Sequence, residues 1–74
     1  MNWNYDKIDN AFTYHKPDEF QQRRYSEIRE KAKEFAYMIL SDCPDSREKA
    51  VAFTKLQECV MWANAAIALN EDKV

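Results

Sequence analysis

The chain has 74 residues, enough for one domain, and a core of this size seldom contributes more than about 3 to 5 kcal/mol without disulfides, metal or oligomerisation. Its 11 basic and 13 acidic residues give a formal net charge of -2, which argues against binding long DNA or RNA, because that binding requires many Lys and Arg side chains. No stretch approaches the roughly 18 apolar residues of a membrane span, and the N-terminus lacks the features of a signal peptide, so we expect a soluble intracellular protein.

Residues 1–16 are predicted to form an N-terminal arm ahead of a helical hairpin domain at residues 17–74. The arm shows no sustained helical or strand period, and it is rich in Asn, Asp and aromatic residues. It is too apolar for a free tail, so we expect it to fold over its own hairpin or over a neighbouring subunit. Its large apolar residues are Trp3, Tyr5, Ile8, Phe12 and Tyr14.

The first long helix is predicted from about Asp18 to Leu40. Pro17 suits the first turn of a helix, and the acidic side chains of Asp18 and Glu19 favour the positive end of the helix dipole. Apolar residues then recur at spacings of three and four, which predicts a packing seam along one side. The seam residues are Tyr25, Ile28, Ala32, Phe35 and Ile39.

The second long helix is predicted from about Arg47 to Leu69. Pro44 disfavours helical dihedrals at the residue before it, and Asp45 with Glu48 matches the pattern of a capping box. Because the connection is short, the two helices must be antiparallel neighbours. The seam residues of this helix are Phe53, Leu56, Val60, Ala63 and Ile67.

The second helix carries more apolar surface than one hairpin can cover. Residues 59–69 read CVMWANAAIAL, in which only Asn64 is not apolar, and a helix that is apolar all round is buried all round. We therefore predict an all-α fold: an antiparallel two-helix hairpin with a short N-terminal arm, assembling into a helical homo-oligomer. The apolar side that the hairpin leaves open comprises Cys59, Trp62, Ala65, Ala66 and Leu69.

The sequence offers little for enzymatic chemistry. His15 is the only histidine, and zinc ligands with suitable spacing are missing. Cys43 and Cys59 are too far apart to pair within one chain, so reduced thiols are expected. We interpret Cys59 as a small buried apolar residue and Cys43 as an exposed turn residue, and we expect no cofactor or metal.

Basic and aromatic residues gather at the start of the first long helix. Aromatic rings can stack on bases, and the planar fork of arginine matches phosphate oxygens. The alternative is that Tyr14 packs the arm and the basic residues balance the acids. We also consider two interpretations of Asn64: a polar residue that sets the register between packed helices, or a residue that points into a ligand pocket. The basic and aromatic set is Tyr14, His15, Lys16, Arg23, Arg24, Arg29, Lys31 and Lys33.

The chain resembles the hairpin domain shared by phage anti-CBASS and anti-Thoeris sponge proteins, which sequester cyclic nucleotides. The resemblance lies in the segments FTYHKP, RRYSEIREKAKEFA, CPDSREKA and TKLQECVMWANAAIALNE, between residues 12 and 71. It implies a small helical protein that assembles into a hexamer, grips cyclic dinucleotides between neighbouring subunits and releases them unaltered on denaturation.

The resemblance also implies roles for individual residues. In the anti-CBASS sponge a tyrosine near the N-terminus stacks on a base, and a lysine that follows an isoleucine meets a phosphate; here these positions are Tyr14 and Arg29. Arginine keeps the charge and alters the geometry. Some family members bind cyclic trinucleotides at a second site that uses basic and hydroxyl side chains, for which Lys31 and Asn64 are the candidates.

Our leading hypothesis is therefore a phage-encoded, non-enzymatic sponge that binds cyclic di- or oligonucleotides in the host cytoplasm. The second hypothesis is an oligomeric protein-interaction module whose arm docks a partner through Trp3, Tyr5 and Phe12. A cyclic-nucleotide phosphodiesterase is the weakest, because hydrolysis favours metal ligands or a histidine pair.

Overall fold

The computed structural model describes residues 2–70, and within them the chain forms three helices and no strand. Helix α1 spans Tyr5–Phe12, α2 spans Glu19–Asp42 and α3 spans Arg47–Asn70. The two long helices pack against each other as the predicted hairpin, joined by residues 43–46. Residues 71–74, the end of the predicted hairpin domain, lie outside the described residues.

The predicted arm shows no sustained period in the sequence, yet α1 occupies half of it. Asn4 begins this helix from an extended conformation, and its side chain accepts a hydrogen bond from the backbone N–H of Lys7 at 2.8 Å. Such a cap satisfies one of the backbone donors that a helix start leaves unpaired. The short helix presents its aromatic residues outward, with Tyr5 88% and Phe12 83% exposed.

The start of α2 is fixed by a capping box one residue later than predicted. The Asp18 carboxylate accepts from Gln21 N at 2.8 Å, while Gln21 Oε1 accepts from Asp18 N at 3.1 Å. Asp18 is therefore the cap, and Pro17 precedes the helix instead of taking its first turn. Gln21 is only 1% exposed, whereas Asp18 is exposed, so burial of Gln21 partly shields both bonds from competing water.

The start of α3 differs from the predicted Asp45 and Glu48 capping box. Ser46 Oγ accepts from Lys49 N at 3.1 Å, and Ser46 O accepts from Ala50 N at 3.2 Å, which makes Ser46 the capping residue. The Asp45 carboxylate instead lies 2.9 Å from the ammonium of Lys49. Asp45 therefore pairs with the Lys49 side chain, and Ser46 accepts from the Lys49 backbone.

The predicted seam of α3 is confirmed, since all five of its residues are half-buried. In α2 the prediction holds for every seam residue except Phe35, which is 52% exposed. The smaller Ala36 is half-buried in its place. Among the hydrophobic residues described, Ile39 alone is buried, at 8% exposure, so the isolated hairpin leaves most of its apolar side chains half-buried or exposed.

The two cysteines are free and exposed. Exposure of Cys43 agrees with its predicted place in the turn, whereas the predicted burial of Cys59 is wrong for this chain. Cys59 is exposed because it lies on a side of α3 that α2 does not cover. Within residues 2–70, no helix combines the length and apolar composition that crossing a membrane requires.

Candidate functional site

Two open grooves flank the seam between α2 and α3. The first, here called the Arg29 groove, has a volume of about 750 Å³. It carries two basic residues one helical turn apart on α2, Arg29 and Lys33, above an apolar floor. Its lining residues are Arg29, Ala32, Lys33, Ala36, Phe53, Thr54, Leu56, Gln57, Glu58, Val60 and Met61.

The second groove, here called the Lys31 groove, has a volume of about 550 Å³ and lies on the other side of the seam. It shares only Ala32, Leu56 and Val60 with the Arg29 groove. Its lining residues are Glu27, Ile28, Lys31, Ala32, Phe35, Leu56, Cys59, Val60 and Ala63. The structure therefore places Arg29 and Lys31, two of the candidate ligand residues, in different grooves.

Arg29 is well placed for an anion. Its side chain is exposed, and Nη2 lies 3.4 Å from Ser26 Oγ, near the outer limit of a hydrogen bond. A guanidinium has five N–H donors, so this contact engages one of them weakly. Glu58 is the acidic residue lining the same groove, and it forms an exposed ion pair with Lys55 at 3.3 Å.

Lys31 is exposed and already paired on its own helix. Its Nζ lies 3.4 Å from Glu34 Oε2, and the two side chains are 80% and 67% exposed. Exposed pairs of this kind contribute little to stability, so a phosphate could displace the carboxylate at small cost. Glu27 is the acidic residue that lines the same groove.

The candidates Tyr14, His15 and Lys16 lie in the linker between α1 and α2, outside the linings of both grooves. Tyr14 is 82% exposed. His15 is half-buried, and its Nε2 lies 2.6 Å from the backbone oxygen of Asn10. The linker is extended at both ends, at Thr13 and at Asp18.

Arg24 and Asn64 also lie outside both grooves. Arg24 is half-buried and its Nε donates to the backbone oxygen of Phe20 at 3.3 Å. The side-chain oxygen of Asn64 is buried and has no hydrogen-bond partner among the described residues. A buried acceptor without a hydrogen-bond partner lowers the stability of a single chain. Both interpretations of Asn64, contact with another helix or with a ligand, would supply that partner.

The open side of α3 and the N-terminal region expose many large apolar side chains. Trp62 is 75% and Met61 67% exposed on α3, and Trp3 is 65% exposed ahead of α1. The sequence predicted that the hairpin leaves Trp62 exposed, but it did not predict that Met61 lines the Arg29 groove. Helical spacing would have indicated it, since Met61 lies four residues after Gln57, which lines the same groove.

The described residues contain no cluster of three or more His, Cys, Asp or Glu side chains that could hold a metal ion. The arrangement can therefore offer cations, exposed rings and apolar surface to a ligand.

A family model described as the Acb2/Tad1 hairpin domain matches residues 4–68. The match includes all of α1 and α2 and all but the last two residues of α3. Comparisons with curated proteins and with solved structures gave no significant match.

Proposed function

The chain belongs to the Acb2/Tad1 hairpin-domain family, and from this premise we propose that it is a sponge that binds cyclic oligonucleotide messengers and keeps them from host immune effectors. The family match over residues 4–68 is the observation that carries the proposal. The sponge acts by affinity and copy number, without chemistry on the ligand.

The Arg29 groove supplies the proposed phosphate contact. Arg29 and Lys33 lie side by side at its rim, and a cyclic dinucleotide carries two phosphates joined in a ring. The planar guanidinium of Arg29 presents paired donors that match phosphate oxygens. The apolar floor beneath suits the faces of bases and sugars.

The exposed ring of Tyr14 supplies the proposed base contact. Arg29 lies ten residues beyond the start of α2 at Glu19, a rise of about 15 Å along the helix, whereas Tyr14 lies before that start. A compact ligand that meets both residues therefore bridges two chains more readily than one. This separation supports a pocket built between neighbouring subunits.

The remaining candidates have lesser proposed roles. His15 and Lys16 flank the stacking ring, and Arg24 adds positive charge near the start of α2. Lys31 and Asn64 belong to a proposed second site for larger cyclic oligonucleotides. The position of Lys31 in a separate groove supports a site apart from that of Arg29.

We propose that the working form is a homo-oligomer, with a hexamer as the expected state, inside the host cytoplasm. One buried hydrophobic residue in the described chain is far less than a stable core requires. Exposed apolar area of this extent is typical of an interaction surface. The open side of α3, including Trp62 and Ala66, is the proposed contact between chains.

The test is ligand recovery. The purified protein is incubated with a panel of cyclic di- and trinucleotides, separated from free ligand by filtration, and heated, and the released nucleotides are identified by mass spectrometry. Intact recovered ligand supports the sponge, and a linear product would show an enzyme. The Arg29→Ala variant is the matched control, because it removes the proposed phosphate contact and leaves the seam unchanged.

A second candidate function is the protein-interaction module. The outward-facing Trp3, Tyr5 and Phe12, between 65% and 88% exposed, favour it, because exposed aromatic clusters are typical of protein interfaces. Retention of no nucleotide in the recovery experiment, with an oligomer still formed, would favour this module over the sponge.

A further inference from the structure

Tyr14 occupies an unusual position for a residue that stacks on a ligand. It is 82% exposed and lies in the extended linker between α1 and α2. A ring on an irregular segment ordinarily loses backbone and side-chain freedom when it stacks, and this loss weakens binding. A linker that is already held in place avoids most of that loss.

Both sequence neighbours of Tyr14 bond to the last turn of α1. Thr13 Oγ1 donates to the backbone oxygen of Asp9, and His15 Nε2 lies 2.6 Å from the backbone oxygen of Asn10. Because a carbonyl only accepts, His15 Nε2 carries a proton and donates it. Carbonyls in the last turn of a helix have no partner within that helix, so these two side chains satisfy them.

The last turn of α1 is in turn tied to the hairpin. Asn10 Nδ2 donates to the backbone oxygen of Leu69 at 3.0 Å, so Asn10 links the end of α3 to His15. At its other end the linker meets the Asp18 and Gln21 capping box. Tyr14 is thus held through the residues on each side of it, while its own ring stays exposed.

We infer that Thr13 and His15 are positioning residues for Tyr14, which hold the linker so that the ring is presented before a ligand arrives. The inference rests on the proposed function, because the ligand contact of Tyr14 comes from there. It gives His15 a role distinct from direct ligand contact, since Nε2 is engaged by Asn10 O.

The first test requires no ligand. Relaxation of the ¹⁵N-labelled Tyr14 amide should give an order parameter of about 0.85, typical of rigid backbone, and a value below about 0.6 in the Thr13→Val/His15→Ala double variant. The matched control, Thr13→Ser/His15→Gln, keeps a hydroxyl and a side-chain N–H donor and should retain the rigid value. A mobile Tyr14 amide in the wild type, or an equally rigid one in the double variant, would overturn the inference.

The second test measures affinity for a cyclic dinucleotide that the wild type retains. His15→Ala should weaken binding by about threefold to tenfold, the effect of one ordinary hydrogen bond, and His15→Gln should bind like the wild type. In a Tyr14→Ala background, His15→Ala should cause no further loss, because its effect passes through the ring.

Additive losses in that double-mutant cycle would instead show that His15 acts independently of Tyr14, and would reject the inference. The proposed function can fail separately. If the wild type retained no cyclic nucleotide, the sponge would be refuted, and the relaxation measurement would still decide whether the linker is held.

Discussion

The two ends of the hairpin differ in how they treat a buried polar group, which is paired at the turn end and, within the described residues, unpaired at the open end. At the turn end, Lys49 is 9% exposed, and its ammonium donates to the backbone oxygen of Leu40 and to Asp45, each at 2.9 Å. The adjacent Ile39 is the buried hydrophobic residue of the described chain. At the open end, Trp62 and Tyr14 stand 75% and 82% exposed.

This difference distinguishes groups that find their contacts within one chain from groups that require a partner chain or a ligand. The turn end pairs its buried ammonium through contacts inside the hairpin and buries Ile39, while its Tyr37, Met38 and Leu40 stay 56% to 61% exposed. The open end leaves apolar side chains uncovered and one buried oxygen, that of Asn64, unpartnered among residues 2–70. Changes at the turn should therefore act on folding, and changes at the open end should act on assembly and binding.

The largest expected effect is at the proposed interface. Ala66→Asp should convert the oligomer into a monomer and abolish ligand binding, because assembly would bury an unpaired charge. Light scattering at micromolar protein concentration measures the mass. Ala50→Asp, the same change at an exposed site near the turn, should leave the oligomer intact. A wild type that runs as a folded monomer would show that the proposed interface is not used.

Arg29→Ala should weaken binding of a cyclic dinucleotide at least about tenfold, because a hydrogen bond to a charged group contributes roughly 1.5 to 3 kcal/mol. Isothermal titration measures the loss. Arg23→Ala is the control on the same helix, since this exposed arginine lies over the Phe20 ring at 5.9 Å and outside the groove. Unchanged affinity in an assembled Arg29→Ala protein would remove Arg29 from the site.

Tyr14→Ala should lower affinity by about 1 to 3 kcal/mol, the range for loss of one base-stacking contact. Tyr14→Phe keeps the ring and should retain most of the affinity. Titration of both variants separates the possible contacts. Equal losses of affinity in the two variants would indicate a hydrogen bond from the Tyr14 hydroxyl. Unchanged affinity in both would indicate that Tyr14 packs the N-terminal region and does not contact the ligand.

The smallest effect is expected at the turn. Lys49→Met keeps the apolar stem and removes the donor to Leu40 O, which should lower the free energy of unfolding by about 1 to 2 kcal/mol at fixed protein concentration. Ligand affinity should not change. Lys55→Met, which breaks an exposed pair with Glu58, should alter stability by less than about 1 kcal/mol. Urea unfolding measures both, and equal effects would contradict a special role for Lys49.

The sequence predicted the long helices well because their signals extend over many turns. The α3 seam repeats for five apolar positions, and no single exception could obscure it. Helix α1 has eight residues, too few for a period to be recognised. The cap of α3 was placed one residue early because Asp45 and Ser46 are both good capping residues and adjacent in the sequence.

For the candidate site, the arrangement of the proposed residues could be predicted from the sequence only in part. Arg29 and Lys31 belong to one basic set in the sequence but were assigned to different sites, and residues two apart on a helix do not share a face. That separation was predictable. The contact of His15 with Asn10 was not, because it depends on how the linker folds back onto the end of α1.

The bond between Lys49 and Leu40 also bears on the order of events after synthesis. These residues are nine positions apart, and closing so short a loop costs little entropy. Helical proteins rich in such local contacts fold within about microseconds to milliseconds, whereas subunit assembly depends on concentration and is slower. For a protein proposed to intercept a diffusible signal, the delay from synthesis to capture is then set by how soon chains meet, and so by expression level.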